Sequence, residues 1–415
     1  MRQVKILVIL MALVLMPIFY TNIESPSSIP KAQTKEPTKP SILISTPLGE
    51  PFPGLDGKMF ARFLSGKFEF EREHLVEEGL GPVFNDSTCV SCHGMPVTGG
   101  SLDSLDDITF RIARLTKNGR YDDLERFGGE PLSNKKFVPG CEAQQIPRKA
   151  QFVSPRAAQQ LFGLGLLDSL TDEAILANAD PNDRDRDGIS GRPNIIFSPR
   201  FQEDRVGRFG WKAHWPTMID FCGDAYLVEI GISNPDFPQN RHPNGQRSIC
   251  DTVNSAEDFD GRVTESFVDF INLLAPPPQK PLDSSAQRGK DIFQSLGCVK
   301  CHIPTLVTAN LSERPDLTSP ILANQEANLY SDLLLHDMGE ELRDNIQTGI
   351  ASPTEWRTQP LWGLSSKKFF LHDARTTDLS QAITAHGGEA EKSKQNFLKL
   401  NRAAQQDLIN FLKSL

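Results

Sequence analysis

No run of basic residues marks this chain. Lys and Arg total 44 against 53 Asp and Glu, giving a net charge of −9. Such an acidic balance disfavours polyanionic partners and suits a small substrate or a basic redox protein, so no nucleic-acid role is expected. Long apolar stretches are also scarce. The run from Ile6 to Tyr20 is interrupted by Pro17 and falls short of the ~20 residues a spanning helix needs. No cysteine lies near it, which excludes a cysteine-linked lipid anchor. With Arg2 and Lys5 before it, residues 1–21 read as a secretory signal. No clear small-x-small cleavage site follows, so an uncleaved anchor stays open, and with it a membrane contact through this segment alone. Residues 22–47 are rich in Pro, Ser, Thr and Lys; they lack the apolar content to fold and read as a disordered linker.

What the chain does contain is one five-residue pattern, twice: Cys89-Val90-Ser91-Cys92-His93 and Cys298-Val299-Lys300-Cys301-His302. Cys-x-x-Cys-His reads as a c-type haem attachment site. The two thiols add to the haem vinyl groups, and the histidine meets the iron as proximal ligand. A redox dithiol or a four-thiolate zinc site needs no histidine directly after each second cysteine. Two covalently bound haem c groups are therefore expected. Since c-type haem is attached outside the cytoplasm, a periplasmic location follows from the same reading.

The surroundings of the two motifs are alike. Met59, Phe60, Phe63, Leu64, Phe68 and Phe70 give a helix-like pattern before the first. Before the second, Asp283 or Ser284 can cap a helix from Ser285 to Leu296, stopped by Gly297. Asp269-Phe270-Ile271-Asn272-Leu273-Leu274 parallels Asp407-Leu408-Ile409-Asn410-Phe411-Leu412, and both read as closing amphipathic helices. The pattern suggests an internal duplication. A haem domain with an insertion over residues 48–278 and a second, cytochrome-c-like domain over residues 279–415 are expected, in a mostly α fold.

Asp183, Asp185 and Asp187, followed by Gly188, resemble the first half of an EF-hand loop. Asn194 stands where the closing glutamate would be, so the loop is a candidate calcium site without the full motif. Cys141, Cys222 and Cys250 lie outside the haem motifs. In an oxidising compartment one pair is expected among them, and Cys222 with Cys250 is the preferred one.

From the tether onward the chain resembles the di-haem oxidoreductase family, also labelled peroxidases or thiol oxidoreductases. The stretches that carry the resemblance are Gly79 to Gly100, Leu161-Phe162-Gly163-Leu164-Gly165-Leu166, Asp187-Gly188-Ile189-Ser190-Gly191-Arg192, Arg208-Phe209-Gly210-Trp211-Lys212-Ala213, Ser331 to Gly339, and His386-Gly387-Gly388-Glu389-Ala390. More distantly it is similar to the bacterial di-haem cytochrome c peroxidases and to enzymes that oxidise tryptophans of a partner protein. Two cytochrome-c-like helical domains facing one another are what this resemblance implies.

It also implies residue roles. Tyr226-Leu227-Val228-Glu229-Ile230-Gly231 resembles the segment carrying the peroxidases' distal glutamate, which points to Glu229 as acid–base catalyst; Ile230 departs from the family's methionine. Trp211 stands where the peroxidases place a tryptophan between the haems. For the second haem iron, His386 follows His372 at the peroxidase interval, and Met338, 36 residues beyond His302, is the alternative ligand. For the first haem, His74, His214 and His242 are the candidate ligands, but each reads rather as a surface or packing histidine, which favours an open first haem. The expected function is that of an exported di-haem redox enzyme, peroxidase-like, with one electron-transfer haem and one substrate-activating haem. It would take electrons from a small redox protein or a quinol-linked donor and a small oxidant such as peroxide. A pure electron carrier and an oxidase of a partner protein's side chain are the alternatives.

Overall fold

A computed structural model describes residues 46–129, 131–247 and 258–415. The signal or anchor segment and nearly all of the linker lie outside the described residues, as does Cys250. Among the described residues no helix is long and apolar enough to cross a membrane.

The expectation of a mostly α protein is corrected: helices account for 33% and strands for 14%, so the fold is mixed, and a pair of cytochrome-c-like domains is not shown. The reason lies between the first haem motif and residue 217. There the chain folds into strands of two to seven residues, such as Tyr121–Asp122, Thr109–Leu115 and Phe152–Arg156, which form one antiparallel sheet. Ile112 and Ala113 are adjacent and both fully buried, so the strand shows no clean period-2 alternation. Extended loops join these strands, and neither leaves a helical pattern.

The expected helices do form. Gly57–Glu71 begins at Asp56, whose carboxylate accepts from Met59 N, and Ser284–Ser295 begins at Asp283, which accepts from Ala286 N. These caps satisfy amide groups that a helix start leaves unpaired. The closing helices run Arg262–Leu273 and Arg402–Leu412. Each leading helix crosses its closing helix at a glycine. A Cβ on Gly66 would sit 2.0 Å from Ser266 O, and one on Gly289 2.0 Å from Asp407 O, so no larger residue permits either crossing.

The aromatic packing repeats as well. Phe70 lies 5.1 Å from Phe270 and 6.1 Å from the His93 ring. Phe293 lies 5.4 Å from Phe411 and 6.3 Å from the His302 ring. Each motif histidine thus stands against a two-helix aromatic core. Short strands and loops connect the parts: Leu335–Asp337 pairs antiparallel with Glu355–Arg357, setting His336 opposite Trp356. Buried Asp344 is ion-paired to Arg156 and, at 3.3 Å, to Lys212.

Candidate functional site

The two motifs open onto two cavities. Cys89, Cys92 and His93 line the first, of about 200 Å³. Cys298, Cys301 and His302 line the second, of about 240 Å³. The four motif thiols are free. Burial pushes those of Cys89 and Cys92 up to about 12 and that of Cys298 up to about 11.

Histidine tautomers follow from hydrogen bonds. A backbone carbonyl only accepts, so a ring nitrogen bonded to one carries the proton. His302 Nδ1 faces Tyr330 O at 3.0 Å, and His93 Nδ1 faces Gly100 O at 3.4 Å. The His302 ring thereby keeps its Nε2 lone pair for a metal, the usual arrangement of an imidazole ligand, while His93 is held by the backbone of Gly100 and Gln159.

Glu229 lines the first cavity together with His93. It sits on a π-type turn, Tyr226–Ile230, that continues the helix Met218–Ala225; such turns recur at functional sites. Its Oε2 accepts from Asn85 Nδ2 at 2.5 Å. Burial raises its pKa above the ordinary carboxylate range, opposed by the Asn85 hydrogen bond. Asp224 lines the same wall, is held by Trp215 Nε1 at 2.9 Å, and is likewise raised by burial.

His214, read from sequence as a packing residue, also lines this cavity. Its ring packs edge-on against Phe221, its Nε2 is buried without a partner, and burial holds it well below the usual imidazole pKa. No sequence signal separates it from His74, whose ring is buried against Tyr226, or from His242; neither of these lines either of the two motif cavities.

Trp211 lines both cavities. Its Nε1 donates to Ala157 O at 2.9 Å, and its ring meets His372 edge-on at 6.4 Å. His372 in turn stacks on Trp356 at 3.8 Å. Met338 and His386 both line the second cavity, so the two candidate ligands remain neighbours on one site. His386 Nδ1 faces Ala382 O at 2.8 Å, which again leaves Nε2 for a metal.

Asp183, Asp185 and Asp187 come within 4.8 Å of one another. Asp187 is paired with Lys300 at 2.7 Å, beside the second haem motif. Cys222 is a free buried thiol, which overturns its expected pairing with Cys250; it packs into the apolar core beside the first cavity, away from solvent. Cys141 is the disulfide-bonded one.

Two cations reveal what the cavities lack. Arg357 and Lys367 line both. Arg357 donates to Gly210 O and Gln359 Oε1, yet its Nη1 is buried without a partner. Burial lowers Lys367 to about 8, with repulsion from Arg357 adding to it and no carboxylate opposing it. A buried donor left without an acceptor is costly, and half-buried Lys367 adds a second positive charge beside it. Anionic groups belong at this shared wall, and the two propionates of a haem are of that kind. Thiol pairs, metal-ready imidazoles and the two cations on the shared wall together fit a haem in each cavity.

That arrangement defines a di-haem redox enzyme. The chain belongs to the family described as "Di-haem oxidoreductase, putative peroxidase", whose profile matches residues 144–415. The second haem motif falls inside this stretch and the first before it. Among curated proteins none matches the sequence. Among solved structures the chain is similar to hydrazine synthase of Kuenenia stuttgartiensis, at 13% identity and TM-score 0.40, over 94% of this chain and 100% of that one. It is also similar to a MauG-like protein associated with microbial copper homeostasis, at 13% identity and TM-score 0.31, over 67% of this chain and 94% of that one.

Proposed function

We propose that this is an exported, peroxidase-like di-haem c-type enzyme. Cys89, Cys92 and His93 would hold a haem supplying reactivity toward a small oxidant such as peroxide, and Cys298, Cys301 and His302 a haem supplying electron transfer from a small redox protein or a quinol-linked donor. The observation that carries this reading is the placing of Glu229 and His93 on the walls of one cavity, while Met338 and His386 share the other.

Haem bound in these cavities supplies the redox chemistry. The chain's own residues do the rest. Cys89 with Cys92, and Cys298 with Cys301, hold the two groups covalently; His93 and His302 are the proximal ligands. Arg357 and Lys367 take the propionates. Glu229 holds its Oε2 on Asn85, which leaves Oε1 to take a proton from bound oxidant and return it to the leaving oxygen. Trp211, in contact with both cavities, is the path for electrons between them. Export to the periplasm accords with c-type attachment, with any membrane contact confined to the N-terminal segment.

The ferric spectrum tests this reading: a high-spin band from one haem and a low-spin band from the other are expected. His386→Ala should turn the second haem high-spin or water-bound, whereas Met338→Ala should leave its spin state alone. The reverse pair of results would make Met338 the ligand. Two low-spin haems in the wild type, inert to peroxide, would favour a pure electron carrier.

The acidic loop is proposed to hold calcium and brace the second haem motif through Asp187 and Lys300. Calcium removal is then expected to perturb the haem bands. Metal analysis that finds none, at purification or after addition, would end this idea.

A further inference from the structure

One buried ion cluster lies beside the second cavity without a part in the chemistry above. His336, on the strand Leu335–Asp337, is 3% exposed. Its Nε2 meets Asp332 Oδ2 at 2.9 Å and its Nδ1 meets Glu389 Oε2 at 2.7 Å. Carboxylates accept, so the ring donates from both nitrogens and is a cation held between two anions. Glu389 stands three residues after His386.

We propose that Glu389 and His336 are the positioning pair that fixes His386 at the second haem. The inference rests on His386 being that haem's axial ligand.

Three observations support it. First, the loop bearing His386 lies directly on the strand bearing His336. Gly388 has φ +51°, and a Cβ there would sit 2.2 Å from Asp337 O; a Cβ on Gly339 would sit 2.8 Å from Gly388 N. The two glycines let the backbones touch, and the Glu389–His336 pair closes the contact. Asp337 N also donates to Glu389 Oε1, at 3.3 Å.

Second, the remaining hold on His386 comes from the other side: Nδ1 on Ala382 O and N on Ile383 O, both at the end of the helix Leu379–Thr384. That end fixes the ring's tautomer. The Glu389 end fixes where the loop runs.

Third, the same imidazole reaches the haem attachment point. Cys301 Sγ lies 3.7 Å from His336 Nδ1, and Asp332 N donates to Cys301 O at 2.9 Å. One ring therefore sets the axial-ligand loop relative to the attachment cysteine. Glu389 also accepts from Ser190 Oγ at 2.5 Å and Ser190 N at 3.0 Å, which fastens the segment after the acidic loop to the same point.

The test uses the full-length, haem-loaded protein with Glu389→Gln, Glu389→Asp, His336→Phe and His386→Ala. Haem content, the spin state of each haem and both midpoint potentials are measured. Glu389→Gln and His336→Phe are expected to keep two haems per chain, to give the second haem a high-spin fraction and to displace its potential. The first haem's bands should stay unchanged, and Glu389→Asp should recover part of the low-spin signal. Wild-type spin state and potential in Glu389→Gln overturn the proposal, and this variant decides alone if His336→Phe fails to fold. An unchanged second haem in His386→Ala refutes the ligation reading, and the positioning pair falls with it.

Discussion

Glu229→Gln is expected to lower peroxide-driven turnover by about 10²- to 10⁴-fold, the usual loss when a positioned acid–base group is removed. Glutamine keeps the shape and the hydrogen bond from Asn85 to the side-chain oxygen, so folding and haem content should survive. Electron exchange with the second haem should persist, because that path does not use the carboxyl group. The pH profile adds a second readout. Burial raises the Glu229 pKa, so the deprotonated base is present only above a pH higher than that of an ordinary carboxylate. The wild-type rate should rise with pH through that group, and the limb should vanish in the glutamine variant. Steady-state kinetics across pH with one electron donor checks both. Wild-type turnover in Glu229→Gln would pass the role to Asp224, which lines the same cavity.

Cys298→Ala with Cys301→Ala should leave one haem per chain and destabilise the packing around the second cavity. Phe293, Leu296, Leu361, Leu379, Phe397, Leu408 and Leu412 line that cavity; without haem they face a void. At about 24 cal/mol per Å³ of residual cavity, roughly 6 kcal/mol would be lost if nothing collapsed across its 240 Å³. Collapse reduces the figure, but it remains comparable to the 5–15 kcal/mol that holds a typical domain together. Haem quantitation on denatured protein and a thermal melt measure the two effects. Two haems per chain in the double variant would refute attachment at this motif.

The sequence by itself determined the chemistry that contiguous residues can spell. Two thiols and a histidine within five residues are legible without a fold, because the haem's own vinyl spacing dictates the pattern. The four helices flanking the motifs were legible too. Asp283 caps the helix before the second motif, and Phe63 and Phe70 stand seven residues apart on one face of the helix before the first, a signal that survives without tertiary context. The short strands were not: Thr109–Leu115 buries Ile112 and Ala113 side by side, and two-residue strands carry no period at all. The disulfide was misread for a related reason, since flanking a turn-rich loop does not bring Cys222 out of the core it belongs to.

Only the tertiary structure decided what separates functional side chains from bland ones. His214 and His74 look alike in sequence, and only the cavity wall distinguishes them. Arg357 and Lys367 gain meaning from standing on the same wall, with Arg357 Nη1 buried and unsatisfied, a property of packing rather than of residue type. Asp332 and Glu389 lie 57 positions apart in the chain, yet with His336 their side chains make one ion cluster. Such clusters depend on long-range closure of the backbone, here through Gly339 against Gly388, and no local pattern encodes which distant carboxylate a buried imidazole will meet.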